Sequence, residues 1–255
     1  MKEHCIKLIC GAGNEDSDEI KKLSFIFASA GFDMIDVCAD ISVINAAREG
    51  IALAGKEGCV DLCVSIGLQD DIHLSKAVIN KQKCSFCLKC IDVCPQNAIF
   101  TEDNVVYTDE KKCIGCSRCY EVCSDNAVII QNKYKSPLEM LLPVLSEQPD
   151  CIEFHCSGGN EKLIFDSFNK IKSVYNGLIS ICIDREKYGN ESVIKILKTL
   201  TESYSDIMIQ ADGKAMSGGA DGLNSSLQTV AFADLIRKSG IDNFLILSGG
   251  TNSQT

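Results

Sequence analysis

The sequence predicts an α/β fold: a (β/α) barrel of the TIM type with a small α+β module inserted after its third strand. Three observations predict it. Short β-branched runs alternate with segments of helical period, and most of these runs start 26 to 28 residues apart, the cadence of a (β/α)8 barrel. The alternation is interrupted once, by a cysteine-rich stretch with a repeat of its own. The expected division is a barrel-like domain from residues 1–75 and 136–255, and a module at 76–135. Seven runs are visible where a closed barrel needs eight, so the eighth unit is expected to be missing. An open doubly wound sheet is the alternative, although G-x-G-x-x-G is absent after the first run, where CGAGNED stands.

The expected strands are IKLIC (6–10), MIDVCA (34–39), VDLCVSI (60–66), CIEFH (151–155), LISICI (178–183), DIMIQ (206–210) and FLILS (244–248). Helical spacing joins Ile20, Leu23 and Phe27, then Val43, Ile44, Ala47 and Ile51, and later Val193, Ile194, Leu197 and Leu200. Short apolar runs separated by helices imply parallel strands with right-handed crossovers. SPLEMLLPVLSEQ (136–148) returns the chain from the module as a further helix.

Within the module, Cys84, Cys87, Cys90, Cys94, Asn97 and Ala98 recur 29 residues later as Cys113, Cys116, Cys119, Cys123, Asn126 and Ala127. This is a duplicated unit with pseudo-twofold symmetry, ending in AIF and AVII. Three cysteines at C-x2-C-x2-C can present three thiolates to one cubane, and the fourth of each run then ligates the other cluster. Two [4Fe–4S] clusters are expected: Cys84, Cys87 and Cys90 with Cys123, and Cys113, Cys116 and Cys119 with Cys94. Gly115 suits close approach of backbone to a cluster. Pro95 follows the first run, whereas Ser124 follows the second. Zinc also takes four thiolates, but its motifs come as separated C-x2-C pairs. Disulfides are disfavoured because no secretory signal is visible.

The remaining eight cysteines sit in or near strands, where buried small hydrophobes are the ordinary role. Cys10, Cys38 and Cys156 end strands and are candidates for a redox-sensitive thiol group near the barrel mouth. A formal charge of −10, with no long Lys/Arg block, excludes a nucleic-acid footprint. No apolar run is long enough for a membrane span, and a cytoplasmic location is expected. Two oxidised clusters would carry the balance to about −14.

Strand alternation puts Lys7, Asp36, Glu153, His155, Ser180, Cys182, Asp184, Gln210 and Asp212 on one side and Ile35, Phe154, Ile181 and Ile209 on the other. Ionisable groups inside a barrel are paired or functional. One reading is a Lys7–Asp36 ion pair with polar filler. The other is a pocket under the clusters, with Lys7, Asp36, Glu153, His155 and Asp212 as catalytic candidates and Glu153 and His155 as acid/base groups. ADGKAMSGGADG (211–222) and SGGTN (248–252) follow the last two strands, where barrels often bind phosphate. Gly249, Gly250 and Thr251 are the phosphate candidates, against a reading as plain loop.

KLICGAG, AGFDMIDVCADISVINAAREGI, the two cysteine runs, IEFH, DGKAMSGG and SGGTN in this order resemble the cyanobacterial light-dependent period (LdpA) family over nearly the whole chain. That resemblance implies a two-cluster iron–sulfur protein that senses cellular redox state and adjusts the circadian clock, with no established turnover. A redox protein or small redox carrier, and clock-input proteins, are the partners it implies. The alternative is a barrel oxidoreductase fed by the module, for which a flavin would be the added cofactor; a plain electron carrier is the third reading.

Overall fold

The computed structural model describes residues 4–68, 71–183, 185–212 and 225–248. Seven strands form one parallel sheet: β1 (Lys7–Ile9), β2 (Met34–Cys38), β3 (Asp61–Gly67), β8 (Cys151–His155), β9 (Leu178–Cys182), β10 (Ile207–Asp212) and β11 (Phe244–Ser248). They are hydrogen-bonded in that order, each to the next in sequence. A doubly wound sheet would reverse its strand order at a switch point, and this one does not. Among the described residues β1 and β11 are not paired with each other, so the sheet is an open half-barrel.

The sheet is curled, and one hydrogen bond measures the curl. Lys7 Nζ on β1 donates to Gln210 Oε1 on β10 at 3.0 Å. Five strand spacings separate those strands, about 24 Å in a flat sheet. The two extended side chains and their hydrogen bond reach only about 14 Å. The strands must therefore bend around Lys7. The same ammonium lies 2.8 Å from Asp36 Oδ2 on β2 and also pairs with Glu153 Oε2 on β8.

Helices α1 (Ser17–Ser29), α2 (Ile41–Leu53), α5 (Pro137–Val144), α6 (Glu161–Val174), α7 (Arg185–Ser203) and α8 (Ser225–Lys238) accompany the sheet. Alternate strand residues Ile35, Val37, Val64, Ile152, Phe154, Ile181 and Ile209 pack with Ile20, Ile44, Phe168, Leu197 and Phe232 from the helices into the main core. The opposite side has an apolar floor of Met34, Cys63, Cys151, Met208 and Ile246. Helix starts follow local chemistry. Asp16 accepts the amides of Asp18 and Glu19, Asp40 those of Ser42 and Val43, and Ser136 with Glu139 forms a capping box before Pro137.

Between β3 and β8 the chain builds two separate hairpin-like sheets, β4 (Ser75–Ile79) with β7 (Val128–Asn132) and β5 (Ile99–Glu102) with β6 (Val105–Thr108), all antiparallel. Two one-turn helices, α3 (Lys89–Asp92) and α4 (Arg118–Glu121), lie 29 residues apart, as the duplicated sequence requires. The twofold is visible in its hydrogen bonds: Asn80 N donates to Ala127 O and Asp109 N to Ala98 O, both at 2.7 Å. This segment is tied to the sheet by buried Lys76, whose Nζ donates to Gly13 O at 2.8 Å and Cys113 O at 2.9 Å and pairs with Glu15 at 3.1 Å.

Two substitutions test this packing, with a third as their surface control. A Cβ on Gly50 of α2 would lie 2.3 Å from Lys21 O and 2.9 Å from Phe25 N of α1, both backbone atoms. Gly50→Ala gains about 1 kcal/mol of helix propensity but loses about 3 kcal/mol to overpacking, so chemical denaturation should read a net loss of about 2 kcal/mol. Lys7→Met leaves Asp36 and Glu153 buried without their cation and should cost about 3–5 kcal/mol. Lys21→Met, which removes the exposed pair with Glu49, should cost under about 1 kcal/mol in the same experiment. Equal losses would refute the role given to Lys7.

Candidate metal centre

The cysteine loops adopt a backbone that L-residues avoid. Phe86 (φ 62°), Leu88 (φ 64°) and Asn97 (φ 48°) in the first repeat match Gly115 (φ 71°), Ser117 (φ 65°) and Asn126 (φ 50°) in the second, each pair offset by 29. Three of these residues carry neither the glycine nor the asparagine usual in this region. Each costs of order 1–2 kcal/mol, which persists only where surrounding structure imposes it. Gly115 was expected for lack of a side chain; the structure shows that the left-handed turn is the shared requirement, because Phe86 meets it with a full side chain.

These turns bring the cysteines together in two sets. Burial raises the Cys90 thiol, and Cys84, Cys87 and then Cys123 of the other repeat add to it. Burial likewise pushes Cys119 up to about 12, followed by Cys113, Cys116 and then Cys94 of the first repeat. Each triplet thus has the opposite repeat's fourth cysteine as its electrostatic neighbour. Cys94, Cys113, Cys116 and Cys119 line one cavity, closed by Ala77, Ala98, Ile99 and Ile130.

The donor set fits an anionic sulfur-ligated group. Ala77 N donates to Cys113 Sγ at 3.3 Å, Ala98 N to Cys94 Sγ at 3.2 Å and Ala127 N to Cys123 Sγ at 3.3 Å. Such bonds favour charge on sulfur, and four thiols gathered in one place can ionise together only around a cation. The two sets differ in exposure. Cys113 and Cys119 are buried on the side tied to the sheet by Lys76, whereas Cys87, Phe86 and Leu88 are exposed. Ser85, in the outer loop, donates its amide (3.0 Å) and its hydroxyl to Asp125, a link without counterpart in the other repeat, where Ile114 and Gln96 stand.

Beneath the inner set lies the polar group expected from strand alternation. Lys7, Asp36 and Glu153 are joined, with Ser65 Oγ donating to Asp36 Oδ1 at 2.7 Å. Burial disfavours the Lys7 ammonium, but Asp36, Cys63 and Glu153 outweigh it and raise its pKa. Burial also raises Glu153, which Lys7 offsets in part and Asp36 reinforces. His155 Nδ1 is 3.5 Å from Asp71 Oδ2, and its Nε2 is 3.9 Å from Glu153 Oε1 and 3.4 Å from Ser65 Oγ. Burial would lower His155, but Asp71, Glu153, Asp36 and Asp212 together raise it. His73 stands edge-on to the His155 ring at 5.3 Å, and burial lowers its pKa. Asp212 accepts from Cys182 Sγ at 2.7 Å.

Asp71, His73, Ser65 and Gly67 are the members that the sequence reading left out; Asp71-x-His73 directly after β3 was the available signal. Gly249, Gly250, Thr251 and Asp184 lie outside the described residues. Cys10, Cys38 and Cys156 are held as thiols: burial raises all three, Cys38 Sγ donates to Asn14 O at 3.1 Å, and Cys156 belongs to the main core beside the helices. This is the environment of an inert buried cysteine, not of a low-pKa redox thiol. Among the described residues no helix is long and apolar enough to cross a membrane.

Residues 76–124 match the family described as 4Fe-4S dicluster domain, and residues 143–255 match Light dependent period A C-terminal domain. The chain is 29% identical over 263 residues to Light dependent period A of Synechococcus elongatus, covering 99% of this chain and 72% of that protein. A stretch of 75 residues, 29% of either chain, is 42% identical to dihydromethanopterin reductase (acceptor) of Methanocaldococcus jannaschii. The chain thus carries a 4Fe–4S dicluster domain followed by a light dependent period A C-terminal domain, and it resembles Light dependent period A along nearly its whole length.

Proposed function

We propose that this chain is an iron–sulfur redox protein holding two [4Fe–4S] clusters, an outer one on Cys84, Cys87, Cys90 and Cys123 and an inner one on Cys113, Cys116, Cys119 and Cys94. The observation that carries the proposal is that Cys94 of the first repeat lines one cavity with Cys113, Cys116 and Cys119 of the second, and the 29-residue duplication of loops and cysteines assigns the outer set in the same way. A bound cubane supplies one-electron exchange. Around it, the amides of Ala77, Ala98 and Ala127 stabilise negative charge on sulfur, and Ala77, Ile99 and Ile130 keep water from the inner site.

The exposed outer loop, with Phe86 and Leu88, is the surface we assign to a redox protein or small redox carrier. From the inner loop, Lys76 touches both Cys113 O and Gly13 O, so a change of charge at Cys113 is felt by the loop between β1 and α1. Redox state would in this way reach the half-barrel, which we take to be of the TIM-barrel type. On the likeness to Light dependent period A, the readout is control of a light-dependent period through clock-input partners. A barrel oxidoreductase is the second reading, favoured by the buried Lys7–Asp36–Glu153 group and by the stretch shared with a reductase.

Anaerobically purified protein should contain about eight iron ions per chain. Cys94→Ser should remove about four, and Cys94→Ser with Cys113→Ser no more, whereas Cys94→Ser with Cys84→Ser should remove nearly all. Metal analysis with EPR of the reduced protein reads this directly. Stoichiometric zinc in a colourless protein, or a Cys94→Ser loss that adds to Cys113→Ser, would overturn the assignment. Flavin absorption in the purified protein, with turnover abolished by Glu153→Gln, would favour the oxidoreductase.

A further inference from the structure

Two groups on the concave side of the sheet bring metal-ligating atoms within 4.8 Å of one another: Asp36, Cys63 and Glu153, and Asp71, His73 and His155. The first already surrounds a cation, the Lys7 ammonium. The second has none among the described residues. We infer that Asp71, His73 and His155 form a mononuclear site for a divalent transition-metal ion of the zinc or ferrous class, separate from the cysteine sets.

The hydrogen-bond network fixes the His155 tautomer. Ser65 gives its proton to Asp36 Oδ1, so the Ser65 oxygen presents a lone pair to His155 Nε2 at 3.4 Å. On the same side, Glu153 Oε1 is fully buried, has no hydrogen-bond partner among the described residues, and lies 3.9 Å from Nε2. Both neighbours are acceptors and favour a proton on Nε2. In the neutral ring Nδ1 is then a bare lone pair facing Asp71 Oδ2 at 3.5 Å. Nδ1 and Asp71 Oδ2 are held together by a cation between them, either the proton of an imidazolium or a metal ion. Their separation is long for a hydrogen bond but matches the ligand-to-ligand edge of about 3.4 Å in a tetrahedral zinc site.

The surroundings are shaped for this arrangement. Glu153 Oε1 stands 3.9 Å behind His155 Nε2, on the side from which a carboxylate orients a ligating imidazole, and Lys7 balances its charge. A Cβ on Gly67, the register partner of His155, would lie 2.0 Å from Asp71 Oδ2, so only glycine leaves room for that carboxylate. Asp71 Oδ1 accepts the His73 amide at 3.0 Å, which fixes the Asp71-x-His73 turn, and a Cβ on Gly13 would lie 2.5 Å from His73 O. The ring nitrogens of His73 make no hydrogen bond among the described residues and are available as the third ligand. Two imidazoles and a carboxylate suit zinc or ferrous ion and leave a position for water or a small donor ligand.

The test is equilibrium dialysis of cluster-loaded, full-length protein against zinc. Wild type should retain one equivalent more than His73→Ala, with at least tenfold tighter binding at that site. Gly67→Ala should lose the same equivalent, and Glu153→Gln should weaken it about 10–100-fold. His73 is only partly buried, so His73→Ala should keep wild-type circular dichroism and cluster absorbance. Equal zinc content in wild type and His73→Ala would overturn the site. The comparison is a difference between variants, so it reads the same whether or not the cysteine sets carry their clusters.

Discussion

The structure depends on one buried ammonium. Lys7 stands on the first strand, yet it reaches carboxylates on the second and fourth strands of the sheet and an amide on the sixth. A parallel sheet twists by itself, but curling enough to bring its first and sixth strands within side-chain reach needs an attraction across the concave face. Two carboxylates around one ammonium supply it. Taking three charges from water is expensive, and such a group costs most when one partner is removed and the others stay buried.

That arrangement decides what the sheet ends can do. With the floor sealed by Met34, Cys63, Cys151 and Met208, the strand ends carry the polar groups upward in layers: Lys7 with Asp36 and Glu153, then His155 with Asp71 and His73. The cysteine-rich segment leaves from the same end, immediately after His73, and is held down by Lys76. The inner cysteine set is therefore the one nearest the half-barrel, and the outer set is the one nearest solvent.

Duplication explains the economy of the inserted segment. Cys94 of the first copy lines one cavity with Cys113, Cys116 and Cys119 of the second. The same exchange appears in the backbone, where each repeat closes a hydrogen bond on the other. Exact symmetry is broken where it bears on exposure: Ser85 is clamped by Asp125 in the outer loop, while Ile114 and Gln96 line the inner cavity.

Local signals determined much of this protein from sequence alone. All seven sheet strands lie where β-branched runs stand, four helices begin at Asp16, Asp40, Ser136 and Asn160, and the 29-residue offset of the cysteines reappears in the turns of the two cysteine loops. These features depend on neighbours along the chain, and periodicity reports them. Alternation also placed Lys7, Asp36, Glu153 and His155 on one face. Tertiary structure decided which of those groups meet. Lys7 joins Gln210 only because the sheet curls, and Asp71 and His73 join His155 only because Gly67 makes room. Such pairings bring together residues tens to hundreds of positions apart, and a one-dimensional pattern records which face a residue takes but not which partner the folded chain sets opposite it.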